Sequence, residues 1–196
     1  MQTPTHTLLA LAFLAKKGRP TRNRAVLIGS LMPDIFIYIC WAWLSINGVS
    51  QDKIWNEIYF ESGVQFWGAI SNSIPLFLGF VVLGWFTRKK KYGGLLLFLA
   101  LAALIHIASD FPVHAEDAHQ HFWPISEWRF YSPLSYWDVR HFGRSVGFVE
   151  TLLGLGLVMV LLRRFTKRST RIVLYIVLSF YAVILLARLL FLSGIL

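Results

Sequence analysis

The sequence predicts an all-α, polytopic membrane helix bundle, and three observations predict it. Of 196 residues, 56% are hydrophobic and only 15% charged, against roughly 25% charged in an ordinary soluble domain. Apolar stretches long enough for a bilayer, about 20 residues for a core of roughly 30 Å, recur five times. The basic residues, which set a formal net charge of +9, gather in alternate turns between those stretches. The single cysteine, Cys40, excludes an intramolecular disulfide framework and any multi-cysteine zinc or iron–sulfur site.

The first element is a short helix around 8–15, entered through Thr3 and Pro4, a capping residue followed by a proline, and stopped by Gly18. About 14 residues reach only about 21 Å, so a tilted or half-inserted helix is expected. It is not read as a signal peptide, because no basic residue precedes it and Lys16 and Lys17 follow. Five spans then follow at 25–46, 67–86, 94–111, 146–162 and 172–196. A helical and irregular segment over 112–145 joins the third to the fourth. No repeat or low-complexity linker divides the chain, which is read as one domain over 1–196.

Fourteen of the nineteen Lys and Arg fall in three groups: Lys16, Lys17, Arg19, Arg22 and Arg24; Arg88, Lys89, Lys90 and Lys91; and Arg163, Arg164, Lys167, Arg168 and Arg171. In a five-span chain these turns share one side, which charge bias assigns to the cytoplasm. The charge is therefore a topology signal, and the expected partner is membrane lipid rather than nucleic acid. Seven of the ten acids lie in the loops 47–66 and 112–145, with Asp110 bordering one. Seven of the eight tryptophans, all but Trp85, fall toward that same side, as a belt at headgroup level or the wall of a vestibule.

Ionisable residues inside spans are costly and are candidates for function. Asp34 lies ten residues beyond Arg24 and His6 ten residues before Lys16, so a hairpin turning at 16–24 puts both at about 15 Å depth. Pro33 removes a backbone donor beside Asp34 and is expected to open the helix there. His106 and Asp110 are four apart and share a helix face, a spacing that can chelate a metal or form a buried ion pair. If helix resumes after Pro112, His114, Asp117 and His121 extend that stripe, with His119 on another face.

Imidazoles and carboxylates together suit zinc, with manganese or iron as alternatives. Such an ion activates water and polarises a phosphoryl or carbonyl oxygen, which makes a hydrolase chemically accessible. Arg129, Arg140 and Arg144 offer bidentate forks for a phosphate, or surface pairs for Glu127 and Asp138. Glu150 reads as a hydrogen-bonding partner between helices.

The segments THTLLA at 5–10, GSLMPDI around Asp34, HIASD at 106–110 and FWPIS at 122–126 resemble the membrane-bound, metal-dependent hydrolase family typified by the bacterial inner-membrane proteins YdjM and YbcI. The stretch from 110 to 138 is similar to a subgroup often labelled cobalamin biosynthesis protein CobQ, although an amidotransferase of that name is soluble. The resemblance implies His6, Asp34, His106 and Asp110 as metal ligands, and a bacterial inner-membrane location with cytoplasmic basic loops. A more distant similarity to all-helical zinc-dependent phospholipases C implies a phosphodiester or lipid headgroup as substrate. The family's His-Ser in the second span is replaced by Asn72 and Ser73, so Asn72 offers a carbonyl oxygen where imidazole is expected, and His114 is the candidate to compensate.

The function expected is thus a membrane-embedded hydrolase whose metal, held by His6, Asp34, His106, Asp110 and His114, activates water at the outer side. Asp117, His119 or His121 would act as general base or orient a ligand. The alternative is a non-enzymatic ion-binding protein or transporter, which would need polar residues continuing through the spans; 94–105 contains none.

Overall fold

In the computed structural model the described residues are 1–90 and 92–193; Lys91 of the second basic group and the last residues of the fifth expected span, 194–196, lie outside them. All regular structure among them is helical: α1 (Thr3–Leu14), α2 (Pro20–Ile46), α3 (Gln51–Asn56), α4 (Ser62–Ser71), α5 (Ile74–Thr87), α6 (Gly93–Asp110), α7 (Gly143–Arg164) and α8 (Arg168–Leu192). Five segments are long and apolar enough to cross a membrane: α2, α4 with α5, α6 with the turn after it, α7 and α8. Their flanks carry exposed apolar side chains such as Phe86, Ile176 and Val183, the surface expected where lipid rather than water is the solvent.

Helix α1 is wedged inside the bundle. Leu8 joins Leu157, Val158, Leu161 and Tyr181 of α7 and α8, while Ala10 packs with Val26 and Ala102 of α2 and α6. Its 12 residues span about 18 Å, too short to cross a bilayer, and the short helix expected from the sequence packs within the bundle. Close approach of α2 and α6 depends on Gly29, where a Cβ would lie 2.1 Å from the Leu99 carbonyl oxygen. Pro33 sits within α2 without ending it. The expected opening does not occur, because one missing donor costs a single bond while the turns on both sides stay packed along α6.

The second span is broken instead, at Asn72 and Ser73 between α4 and α5. Ser73 caps α5 by accepting from the Leu76 N–H at 3.1 Å, and Pro75 fits the first turn, where its absent donor is no loss. Backbone groups freed at the break are taken by the long loop: Ile74 N–H donates to the His121 carbonyl at 2.8 Å and Ser73 Oγ to the Trp123 carbonyl at 2.5 Å. Irregular backbone is tolerated at such a place because protein covers and satisfies it.

Helix does not resume after Pro112. The carbonyls of Pro112, Val113 and His114, which a continuing helix would use, accept instead from Ser132 Oγ, Tyr136 N–H and Ser132 N–H. The loop thus folds back on itself, and the expected helical stripe through His114, Asp117 and His121 is replaced by a looped cluster. The three basic turns lie at one end of the bundle: Arg164 donates to the carbonyls of Leu11 and Ala15, and Arg88 and Lys90 line one cleft with Lys16, Arg19 and Arg22.

Candidate metal centre

Helix α6 supplies the frame, with His106 and Asp110 one turn apart on a face turned inward. Helix α1 adds His6, α2 adds Asp34, and the segment leaving α6 adds His114. His6 Nε2 lies 2.9 Å from Asp110 Oδ1, and His106 Nε2 lies 3.2 Å from Asp110 Oδ2 and 3.4 Å from Asp34 Oδ1. His114 Nε2 stands 3.2 Å from Asp110 Oδ1. The main-chain nitrogen of Met1 also reaches Asp110. All five residues expected as ligands from the sequence therefore meet, although they are drawn from positions 6 to 114.

The far side of each ring decides what the near side can do. His106 Nδ1 is 2.7 Å from the Ser30 carbonyl oxygen, which can only accept, so Nδ1 carries the proton. Ser109 Oγ lies 2.9 Å from the carbonyls of both Ile105 and His106, and with its one proton directed to them it accepts from His6 Nδ1 at 2.8 Å. In the neutral rings both Nε2 atoms then present lone pairs. Both are buried and make no hydrogen bond, and both face carboxylate oxygen, an arrangement that is attractive when a ring is protonated or a cation lies between them and repulsive otherwise. His6 Nε2, His106 Nε2 and an Asp110 oxygen lie within 4.8 Å of one another. Zinc bonds of about 2.1 Å in tetrahedral order would set donor atoms roughly 3.4 Å apart, so the donor set fits a divalent ion of that size.

Around this cluster the expected catalytic residues take different places. Asp117 Oδ2 accepts from His114 Nδ1 at 2.8 Å and from Trp137 Nε1 at 3.0 Å. Burial opposes charge on His114, but Asp110 and Asp117 outweigh it and hold its pKa up at about 9. Asp117, where burial alone would raise the pKa, is held below its usual range by the bonds from His114 and Trp137. His119 is enclosed by protein and keeps only a cavity-facing surface; burial first, then the neighbouring His114 and His121, push its pKa down to about 3. His121 bonds the Asn72 carbonyl at 3.2 Å, and burial lowers it also. It belongs to the wall behind the break in the second span.

A cavity of about 570 Å³ opens over the cluster, reaching Asp34, Asp110, His114 and His119. The phenols of Tyr59 and Tyr136 stand near it, kept neutral by burial and by the charges of Asp110 and Asp117. Asn72 lines it too, but its amide donates to the carbonyls of Pro33 and Gly68. The expected arginine clamp is not assembled. Arg129 is spent on Gln65 Oε1 and the Ala118 carbonyl, and Arg144 lies over the Phe191 ring. Arg140 reaches the cavity rim, where Asp138 and Glu116 hold it at 2.9 and 3.2 Å. Each guanidinium is satisfied by a nearer neighbour than the cavity offers. In a second acidic grouping, Glu116, Asp138 and His141, both carboxylates are already paired with that same Arg140.

Sequence reasoning missed Ser109 and the Ser30 carbonyl, which orient the two central imidazoles, and Thr3, which donates to Asp34 and meets the Tyr38 hydroxyl at 2.7 Å. Ser109 was discoverable, since it sits between His106 and Asp110. Glu150 accepts from the Gln2 N–H at 2.7 Å, the helix-joining role expected of it. No family model matches the chain, and comparison with curated proteins and with solved structures returns no match.

Proposed function

We propose that the chain is a membrane-embedded, metal-dependent hydrolase acting on a phosphoester or lipid-like substrate. The observation that carries this reading is the pair of buried, unbonded Nε2 atoms of His6 and His106 facing Asp110. His6, His106 and Asp110 would hold a divalent ion, zinc by donor chemistry, with Asp34 and His114 completing its surroundings. Bound there, such an ion would bring the pKa of water toward about 7 and polarise a phosphoryl oxygen.

The protein's own groups divide the remaining tasks. Asp117 orients His114 through Nδ1, and Ser109 and Ser30 do the same for His6 and His106. His119 lines the cavity as a neutral imidazole that would orient water rather than take its proton, since its depressed pKa makes it a weak base. With Arg140 committed to two carboxylates, Tyr59 and Tyr136 are the neutral donors available to a phosphoryl oxygen. What favours hydrolysis over ion transport is the dry cluster of Ala10, Val26 and Ala102 between the site and the basic end of the bundle, which supports a cavity open on one side.

The test pairs metal analysis with turnover. Purified protein should carry stoichiometric zinc or manganese, cleave a phosphodiester lipid in detergent micelles, and lose both on Asp110→Asn substitution. A wild-type protein that is stable, empty and unable to take up zinc overturns the reading.

A further inference from the structure

A second cleft, of about 510 Å³, lies at the opposite end of the bundle, between the α1–α2 and α5–α6 turns. Lys16, Arg19, Arg22, Arg88 and Lys90 line it, and no carboxylate does. Among the described residues the only Lys or Arg paired with a carboxylate is Arg140, so these five charges have no counter-charge among them. Like charges held together this way raise the free energy of the fold unless an anion joins them. Two helices begin at the same cleft. Pro20 and Thr21 of α2 and Gly94 of α6 line it, and neither helix has a side chain capping its N-terminus, so both dipoles add positive potential there.

The cleft is also partly apolar. Leu95 and Phe98 line it, and the Arg22 guanidinium lies 3.9 Å from the centre of the Phe98 ring while its Nε is fixed on the Leu14 carbonyl. Arg88 stacks at 4.0 Å on Trp85, an exposed ring at the end of an apolar span. A free anion would gain nothing from this greasy border, whereas a lipid places its phosphate and its chains on the two sides of it.

We propose that this cleft binds the headgroup phosphate of an anionic phospholipid. The lipid supplies the missing counter-charge and joins the hairpin that carries His6 and Asp34 to the one that carries His106 and Asp110. This binding is independent of any metal or hydrolytic activity.

Native mass spectrometry of the full chain in a neutral detergent, titrated with phosphatidylglycerol or phosphatidylcholine, tests it. Arg19→Gln with Lys90→Gln removes two cleft charges whose side chains make no hydrogen bond, and Lys167→Gln with Arg168→Gln removes the same charge from the α7–α8 turn. Phosphatidylglycerol should bind the wild type and the second pair alike. The cleft pair should bind it about 10- to 30-fold more weakly, from about 1 kcal/mol for each basic residue. Equal loss in both pairs, equal binding of phosphatidylcholine, or displacement of the lipid by millimolar inorganic phosphate would each overturn the proposal.

Discussion

His6 and His106 stack face to face, their ring centroids 3.7 Å apart and their planes 14° from parallel, though a hundred residues separate them. The stack aligns two Nε2 atoms on one carboxylate, Asp110, which is 3% exposed. Two stacked imidazoles beside a buried carboxylate thus bring three donor groups to one point.

Asp110 is the shared partner of His6, His106 and His114, so Asp110→Asn should weaken zinc affinity by roughly 100-fold or more. Residues that merely orient a ligand already cost 10- to 100-fold when removed. Competition against a fluorescent zinc chelator measures this, and affinity unchanged from wild type would count against the site.

Ser109→Ala removes the acceptor for His6 Nδ1 without touching a ligand. The ring is then free to turn or to change tautomer, and zinc affinity should fall about 10- to 100-fold. Ser109 also bonds carbonyls within its own helix, so thermal unfolding serves as the control: the melting temperature should barely move while metal binding drops.

Gly29→Val forces side-chain atoms into the Leu99 carbonyl, which belongs to helix backbone and cannot yield. A destabilisation of about 1–3 kcal/mol is expected, seen as a lower melting temperature in detergent. Because α2 carries Asp34 and α6 carries His106, the variant should also retain less zinc at equal protein concentration. A wild-type melting curve would show that the two helices do not depend on this contact.

Asp138 anchors the end of the long loop, with its pKa held well below the usual carboxylate range by hydrogen bonds from Arg140 and His141. A depressed pKa means that its contribution is present above the unfolded value near 3.9 and shrinks progressively below it, until pH passes the depressed folded value. The gap in melting temperature between wild type and Asp138→Asn should therefore hold steady from about pH 7 to pH 5 and close below about pH 4. A gap that does not close below about pH 4 would mean that the anchor is not ionic.

The five spans, the charge segregation and the His106–Asp110 pair were legible in the sequence because each is local: span length, turn composition and a four-residue spacing are properties of neighbouring residues. The break at Asn72 and Ser73 was not read, since 67–86 was taken as one span, although a serine two residues before Pro75 is a signal for a helix start. The course of 114–138 was not, because competition for the carbonyls of Pro112 to His114 comes from Ser132 and Tyr136, some 20 residues away in the chain.

By itself the sequence determined an all-helical chain with five spans and basic residues gathered in the alternate turns between them. Only the tertiary structure decided that His6, Asp34, His106, Asp110 and His114 converge, that three arginines do not, and that five cations meet in a second cleft. The physical reason is that convergence depends on which helix faces touch, and that is set by contacts such as Gly29 on Leu99, distant in the chain and invisible to periodicity.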